Sequence, residues 1–459
     1  MSLSIFVDRL RSKLSVAASI LTDPESKQFQ ELCLRWSDIN RRVPGAIIVA
    51  SNEADVEQTV ALAAELSIPF VPCSGGHSLW STIGHKGFIL DLRRLENIIV
   101  DVESRRVTLQ SGVLVGHANQ AAWDYGLCLP LGTANTAGAI PMAIGGGLNS
   151  LSSVVGSTSD NIISAKMVMA DGKSVLVSST SNPELLYALR GAGQCFGVVA
   201  QLTLQAHPTS VLGSTDRTVW TGVMVFPIAK AGRVFEILSN LTEDNAAPTT
   251  GICIITSPPP TLDTSLIVIP VYFGESAAAE EFYLPLLQLE PFSTCQSIPY
   301  PRVNDAGEAF GVKGGFKRFS GAGLQRLDPS IWMQVVDRYE RLKREFPDAI
   351  QSGYAVEWYK QGASRHRDET AFAHGGVRMW AELLSWYSST KSHAGVQAAE
   401  EEVLKIVREG QQPNEYKSYQ NWTRDDPIEH LFPGEERLTM LRDLKQKWDP
   451  AGIFTHLFL

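Results

Sequence analysis

The chain has 459 residues, 44% of them hydrophobic and 19% charged, with 37 glycines, 24 prolines and a formal net charge of −9. That length allows two or three folding units with ample core, and the composition excludes a disordered chain. The acidic balance argues against a nucleic-acid binder, and no apolar run approaches the ~20 residues of a membrane span.

From the N-terminus, Leu14–Leu21 is as long as a short signal core, but no small-residue cleavage site follows it. An intracellular, cytoplasmic protein without a signal peptide is therefore expected. Ala46–Ala50 is strand-like, and Ser51 is placed to cap a helix whose apolar positions Val56, Val60, Ala63 and Leu66 recur at helical spacing. Strands are predicted over 88–92 and 106–110, then a helix over 113–125 that Gly126 closes. Residues 164–170 and 174–177 flank Asp171-Gly172 as the arms of a hairpin. A short helix at 183–189 and a strand at 197–204 follow. Crossovers mixed with hairpins imply α+β packing, unlike a regular doubly wound sheet.

Past His207-Pro208 the strands lengthen, at 223–226, 251–255 and 266–272, with helices at 331–346 and 392–410. A large antiparallel sheet backed by helices accounts for this pattern. It divides the chain into residues 1–208 (core 36–208), residues 209–418, and a returning segment, 419–459. Aromatics gather late in the second part: Tyr354, Trp358, Tyr359, Trp380, Trp386 and Tyr387. His366 reads as solvated, and Glu400-Glu401-Glu402 as an exposed helix face. The last helix covers 434–447. Six cysteines (Cys33, Cys73, Cys128, Cys195, Cys253, Cys295) form no CxxC pair, which predicts neither a metal site nor a disulfide framework.

Two glycine clusters carry the chemistry. An apolar run at 68–71 ends in Ser74-Gly75-Gly76-His77-Ser78, where residues without Cβ let backbone N–H groups turn toward an anion. Gly145-Gly146-Gly147 is a second place where backbone can lie against a flat ligand. Together they point to a large phosphate-bearing cofactor, with His77 in reach of it or else merely capping the turn. Gly191–Gly197 has glycines spaced like a dinucleotide fingerprint, but it follows a helix where that fingerprint follows a strand.

Taken in order, several segments resemble the FAD-linked oxidases of the berberine bridge enzyme-like group, within the vanillyl-alcohol oxidase superfamily. They are Ser74–Ser78, Gly87–Leu92, Gly145–Gly147, Asp160-Asn161, Ala170–Gly172 and Leu189–Gly193 with Phe196–Val198. Near the end come Tyr419-Gln420-Asn421 and Leu444–Pro450 with Phe454. The resemblance covers residues 36–208 and 415–456 and leaves 209–350 without motif. It implies an α+β fold, a PCMH-type FAD-binding domain joined to a substrate domain, with FAD as cofactor. By position, Cys73, Ser74, Gly75, Gly76, His77 and Ser78 would cradle the pyrophosphate, and His77 would bond covalently to the flavin. Gly132, Thr133, Ala137, Gly138, Gly145, Gly146, Gly147, Asn161, Gly197, Val198, Tyr419 and Asn421 would complete the cofactor site. Ala134 stands where many relatives carry a cysteine that makes a second flavin link, so no second bond is expected, and Cys128 and Cys195 read as buried hydrophobes. Cys73 replaces the arginine more usual before the glycine-histidine motif. Ala137 is compatible with access of O2.

For the catalytic base the resemblance favours Tyr419, whose pKa of about 10 would have to be lowered, with a buried structural tyrosine as the alternative. Glu357 is the second candidate, either a desolvated carboxyl in an aromatic strand or an exposed position of an alternating one. His374 ranks third. The function implied is an FAD-dependent oxidase using O2 on a small, largely apolar natural-product-like substrate, with oxidative ring closure within its range. A redox-neutral cyclase of the same fold, or a binding protein without catalysis, would carry the same motifs.

Overall fold

The computed structural model describes residues 2–243, 247–359, 370–372, 374, 376–423 and 425–454. His366 lies outside the described residues.

A four-stranded sheet orders Ser19–Leu21, Ala46–Val49, Phe88–Asp91 and Phe70–Cys73, the last three parallel. All four residues of Ala46–Val49 are buried, as a strand covered on both faces requires. The helix Glu53–Leu66 is capped by Asn52, whose side-chain oxygen accepts from the Asp55 N–H at 3.0 Å. Ser51, the expected cap, instead donates its N–H and hydroxyl to Asp55 Oδ2, at 2.9 and 2.8 Å. Asn holds the cap because its side chain reaches the N3 amide one residue nearer the helix.

A second sheet of five antiparallel strands orders Ile98–Asp101, Arg106–Gln110, Val198–Gln205, Ile162–Val168 and Ser174–Ser178. The predicted Asp-Gly hairpin joins its last two. Helices Ile428–Leu431 and Glu435–Trp448 return to this sheet, with Leu431, Phe432, Leu438, Leu441 and Leu444 in one core with Leu185, Leu189 and Phe196.

The third sheet has nine strands, running Phe292–Ser293, Met224–Pro227, Ser265–Tyr272, Thr249–Thr256, Gly353–Tyr359, Met379–Tyr387 and Phe316–Leu324, with Thr218–Thr221 and Gln296–Pro299 alongside. Every pairing in it is antiparallel. Tyr354, Val356, Trp358, Met379, Ala381 and Leu383 face helices Ala231–Glu243, Pro329–Glu345 and His393–Val407 in the largest core. The alternate residues, among them Glu357, Tyr359, Trp380 and Glu382, therefore face the other way. The α+β expectation, with a large antiparallel sheet backed by helices, is met. One expectation fails here: Glu400 is 2% exposed, accepts from Ser385 Oγ at 2.6 Å and pairs with Arg318 Nε at 3.2 Å. Its turn of the helix points at the sheet, and only Glu401 and Glu402 are exposed.

Candidate active site

Strand Phe70–Cys73 delivers the loop 74–78 against the loop 132–138. A Cβ on Gly75 would stand 2.6 Å from Gly138 N and 2.7 Å from Thr136 O, so the two loops meet backbone to backbone. Ser74 Oγ is buried between them with no partner among the described residues. Gly75→Ala must force these backbones apart, and overpacking of this kind costs about 1–3 kcal/mol. The expected result is a lowered melting temperature together with a lower flavin content of the purified protein.

His77 Nε2 lies 2.9 Å from Thr136 Oγ1, and its ring stacks on Trp36 at 6.4 Å. Burial, then the charges of Lys313 and Lys317, lower its pKa to about 4, so the imidazole is neutral at physiological pH. Lys313 Nζ stands 3.8 Å from where a Cβ on Gly76 would be, which places a cation at the nest even though Cys73 supplies none. Cys73 itself is 2% exposed, with its thiol turned to the Ser74 carbonyl. Ser78 Oγ accepts from the Trp80 N–H at 3.2 Å and holds the turn.

The second cradle follows helix Ala139–Ile144. Gly146 and Gly147 have φ of +115° and +75°, and a Cβ on Gly145 would meet Asn421 Oδ1 at 1.9 Å. Tyr419 reaches this loop from 272 residues away: its hydroxyl accepts from the N–H groups of Gly147 (3.0 Å) and Leu148 (3.2 Å). Asn421 Nδ2 donates to the same oxygen at 2.8 Å and to Met142 O at 3.0 Å. Those three donors favour the phenolate, yet burial dominates and pushes the Tyr419 pKa up to about 12. The lowering expected for a tyrosine base is therefore absent.

Around Tyr419 stand Trp380, Trp422 and Phe372, with ring centroids 5.8, 5.1 and 5.8 Å from its own. Glu357 and Glu382 lie on neighbouring strands of the same sheet face, where Glu357 pairs with Trp380 and Glu382 with Ala355. Burial lifts both carboxyls well above the ordinary carboxylate range; the Glu357 charge adds to the rise at Glu382, while a hydrogen bond with the Tyr359 hydroxyl partly offsets it at Glu357. His374 packs edge-on to Trp380 at 5.3 Å and is 4% exposed, its pKa lowered by burial to about 3.

Other expected positions fall in different places. The Asn161 amide donates to Val155 O and Ser157 O, and its Oδ1 contacts His207 Nε2 at 2.8 Å, so the side chain is committed within the fold. Gly197 packs against the Val168 carbonyl, and Val198 opens a buried strand. Gly132 lies against Met142, and its carbonyl accepts from Asn304 Nδ2 at 3.0 Å. Thr133 is exposed, and Ala134 and Ala137 are half-buried. Cys128 and Cys195 are 1% and 0% exposed, and burial pushes the Cys128 thiol up to about 12. Sequence reasoning missed Trp36, Thr136, Lys313 and Glu382. Only Glu382 carried a signal, a lone carboxylate in an otherwise apolar strand like the one that marked Glu357.

A cradle of glycines that no side chain could enter, with an orphaned hydroxyl in it, fits a flat, phosphate-bearing cofactor. A family profile described as FAD binding domain matches residues 44–178. The FAD-linked oxidoreductase hasG of Aspergillus fumigatus is 29% identical over 440 residues, covering 91% of this chain and 92% of that one. Among solved structures, Physcomitrella patens BBE-like 1 aligns with a TM-score of 0.84 at 18% identity over 98% of both chains. The glucooligosaccharide oxidase of Acremonium strictum, described with a 6-S-cysteinyl, 8α-N1-histidyl FAD, aligns at 0.79 and 19% identity, again over 98% of both. The chain is thus an FAD-binding flavoprotein with the berberine bridge enzyme-like fold. Within that class it is an FAD-linked oxidoreductase. No helix among the described residues is long and apolar enough to cross a membrane.

Proposed function

We propose that the protein is an oxidase that takes two electrons from a small, largely apolar, natural-product-like molecule and passes them to O2. In this reading residues 1–208 and 419–459 hold FAD, and 209–418 carry the face that receives the substrate. The loops 74–78, 132–138 and 145–147, with the start of the strand at Val198, would hold the cofactor. FAD, when bound, supplies a two-electron acceptor that O2 returns to its oxidised form.

His77 is the attachment point in this reading. A neutral ring that gives its Nε2 proton to Thr136 keeps the Nδ1 lone pair free for bond formation. The histidyl FAD named for the glucooligosaccharide oxidase supports this assignment. Ala134 offers no second nucleophile, and the Cys128 thiol is protonated and buried. Peptide mapping is expected to find flavin on the His77 peptide alone, and flavin on a cysteine peptide would refute this.

Glu357 is the base. Its burial among aromatic rings beside Tyr419 is the observation that carries the reading, because a carboxyl raised toward neutrality is matched to proton abstraction at physiological pH. A phenol held at about 12 stays protonated, so Tyr419 orients the glycine loop and presents a hydroxyl to the substrate. Turnover in air with candidate natural products should release peroxide. Product formed without peroxide, and without anaerobic bleaching of the flavin, would replace the oxidase reading with the ring-closing one.

A further inference from the structure

The His77 ring is held from two sides, and one distant segment of the chain reaches both. On one side His77 Nε2 contacts Thr136 Oγ1 at 2.9 Å, and on the other the ring stacks on Trp36. The segment is residues 300–317. It runs through the short helices Tyr300–Arg302 and Asp305–Gly311 into the strand Phe316–Leu324 of the large sheet.

Toward Thr136 the tie is Asn304, which is 5% exposed. Its Nδ2 donates to Gly132 O at 3.0 Å and to Asn135 Oδ1 at 3.1 Å, so both amide hydrogens are spent on the loop that carries Thr136. Asn135 is pinned from behind as well, its carbonyl accepting from the Gly116 N–H at 3.0 Å. Tyr300 Oη donates to Leu129 O at 2.9 Å, just before the loop, and a Cβ on Gly311 would stand 3.0 Å from Thr136 Oγ1. Toward Trp36 the same segment presents the Phe310 carbonyl, which accepts from Trp36 Nε1 at 2.7 Å. The Gly314 N–H donates to Arg35 O at 3.1 Å, and the Lys317 N–H to Ser37 Oγ at 3.0 Å. Both cations that bear on the ring, Lys313 and Lys317, belong to this segment too.

We propose that Asn304 is a positioning residue for His77: by locking the 132–136 loop it holds Thr136 against Nε2 and leaves Nδ1 as the bonding nitrogen. This rests on the reading above that His77 is where the flavin attaches. Residues 132–136 form no helix or strand of their own, so their placement depends on what is bonded to them. The requirement is strict, because a misplacement of about 1 Å at a reacting group costs on the order of a hundredfold in rate. Attachment therefore depends on the docking of a segment more than 160 residues beyond the loop it fixes.

The test follows covalent attachment of FAD to apoprotein by in-gel fluorescence, beside non-covalent FAD affinity in a His77→Ala background. Asn304→Ala is expected to slow attachment at least ~tenfold while leaving that affinity unchanged. Asn304→Gln, which keeps the amide donor, should recover part of the rate. Trp36→Phe loses the bond to Phe310 but keeps a ring on His77, and it should slow attachment as well, which serves as the second arm should Asn304→Ala not fold. NMR titration of the His77 ring needs no bonded flavin. Its midpoint, about 4 in the wild type, should rise in Asn304→Ala as the loosened loop admits water. Attachment at the wild-type rate, a matching loss of non-covalent affinity, or an unmoved midpoint would overturn the proposal. Were the wild-type flavin found unattached, the attachment reading would fall, and the NMR midpoint alone would decide whether Asn304 positions the ring.

Discussion

Acid precipitation of the wild-type protein is expected to leave a yellow pellet, and His77→Ala is expected to release all of its FAD into the supernatant. The geometry makes His77 a competent nucleophile before any cofactor chemistry is considered. Its pKa is lowered to about 4 by burial and by Lys313 and Lys317, so the lone pair needed for bond formation is present across the physiological range. The sign for pH follows directly. Attachment of added FAD to apoprotein should be insensitive to pH above about 5 and should fail as pH falls through about 4, where the ring takes up a proton. Thr136→Val removes the group that fixes the ring through Nε2, and it should slow attachment without preventing it. A colourless wild-type pellet would refute the covalent reading, while the fold and the FAD-binding domain would stand.

Glu357→Gln is expected to slow anaerobic flavin reduction by ~10²–10⁴-fold, the usual cost of removing a proton-transfer group. The rate in the wild type should rise with pH, because the carboxylate must be ionised to accept a proton. Its midpoint should lie above the ordinary carboxylate range, since burial raises the Glu357 pKa by more than the Tyr359 hydrogen bond lowers it. Tyr419→Phe separates the two candidates. It strips one acceptor from two buried N–H groups, at about 1–3 kcal/mol for each group left unsatisfied, so a fall in melting temperature is expected. Stopped-flow reduction that is normal in Glu357→Gln and abolished in Tyr419→Phe would return the base to the tyrosine.

The parts of this site that were legible in the sequence are those whose chemistry is local. A glycine adopts φ of +77° at Gly76 or +115° at Gly146 because it lacks Cβ, and that property is written at the position itself. The same holds for the alternation of the strand around Glu357, for the Asp171-Gly172 turn, and for the order of segments that gave the family resemblance. What failed depended on neighbours. Ser51 and Asn52 are both good caps, and only the path of the chain into the helix chose between them. Glu400 sits in a run of three acids that reads as a solvated face, yet its turn of the helix meets Arg318 and Ser385 on the sheet.

The sequence by itself determined that this chain folds as mixed α and β, carries an FAD-binding domain, and sets His77 beside the first of two glycine clusters. Those properties follow from residue type and short-range spacing. Only the tertiary structure decided that Tyr419 crosses 272 residues to anchor Gly147, that Thr136 and Lys313 flank the histidine's loop, and that Glu382 joins Glu357. Strand register sets which carboxyls become neighbours, and burial sets the direction in which each titrates. Both are products of contacts between distant segments, which no window of sequence contains.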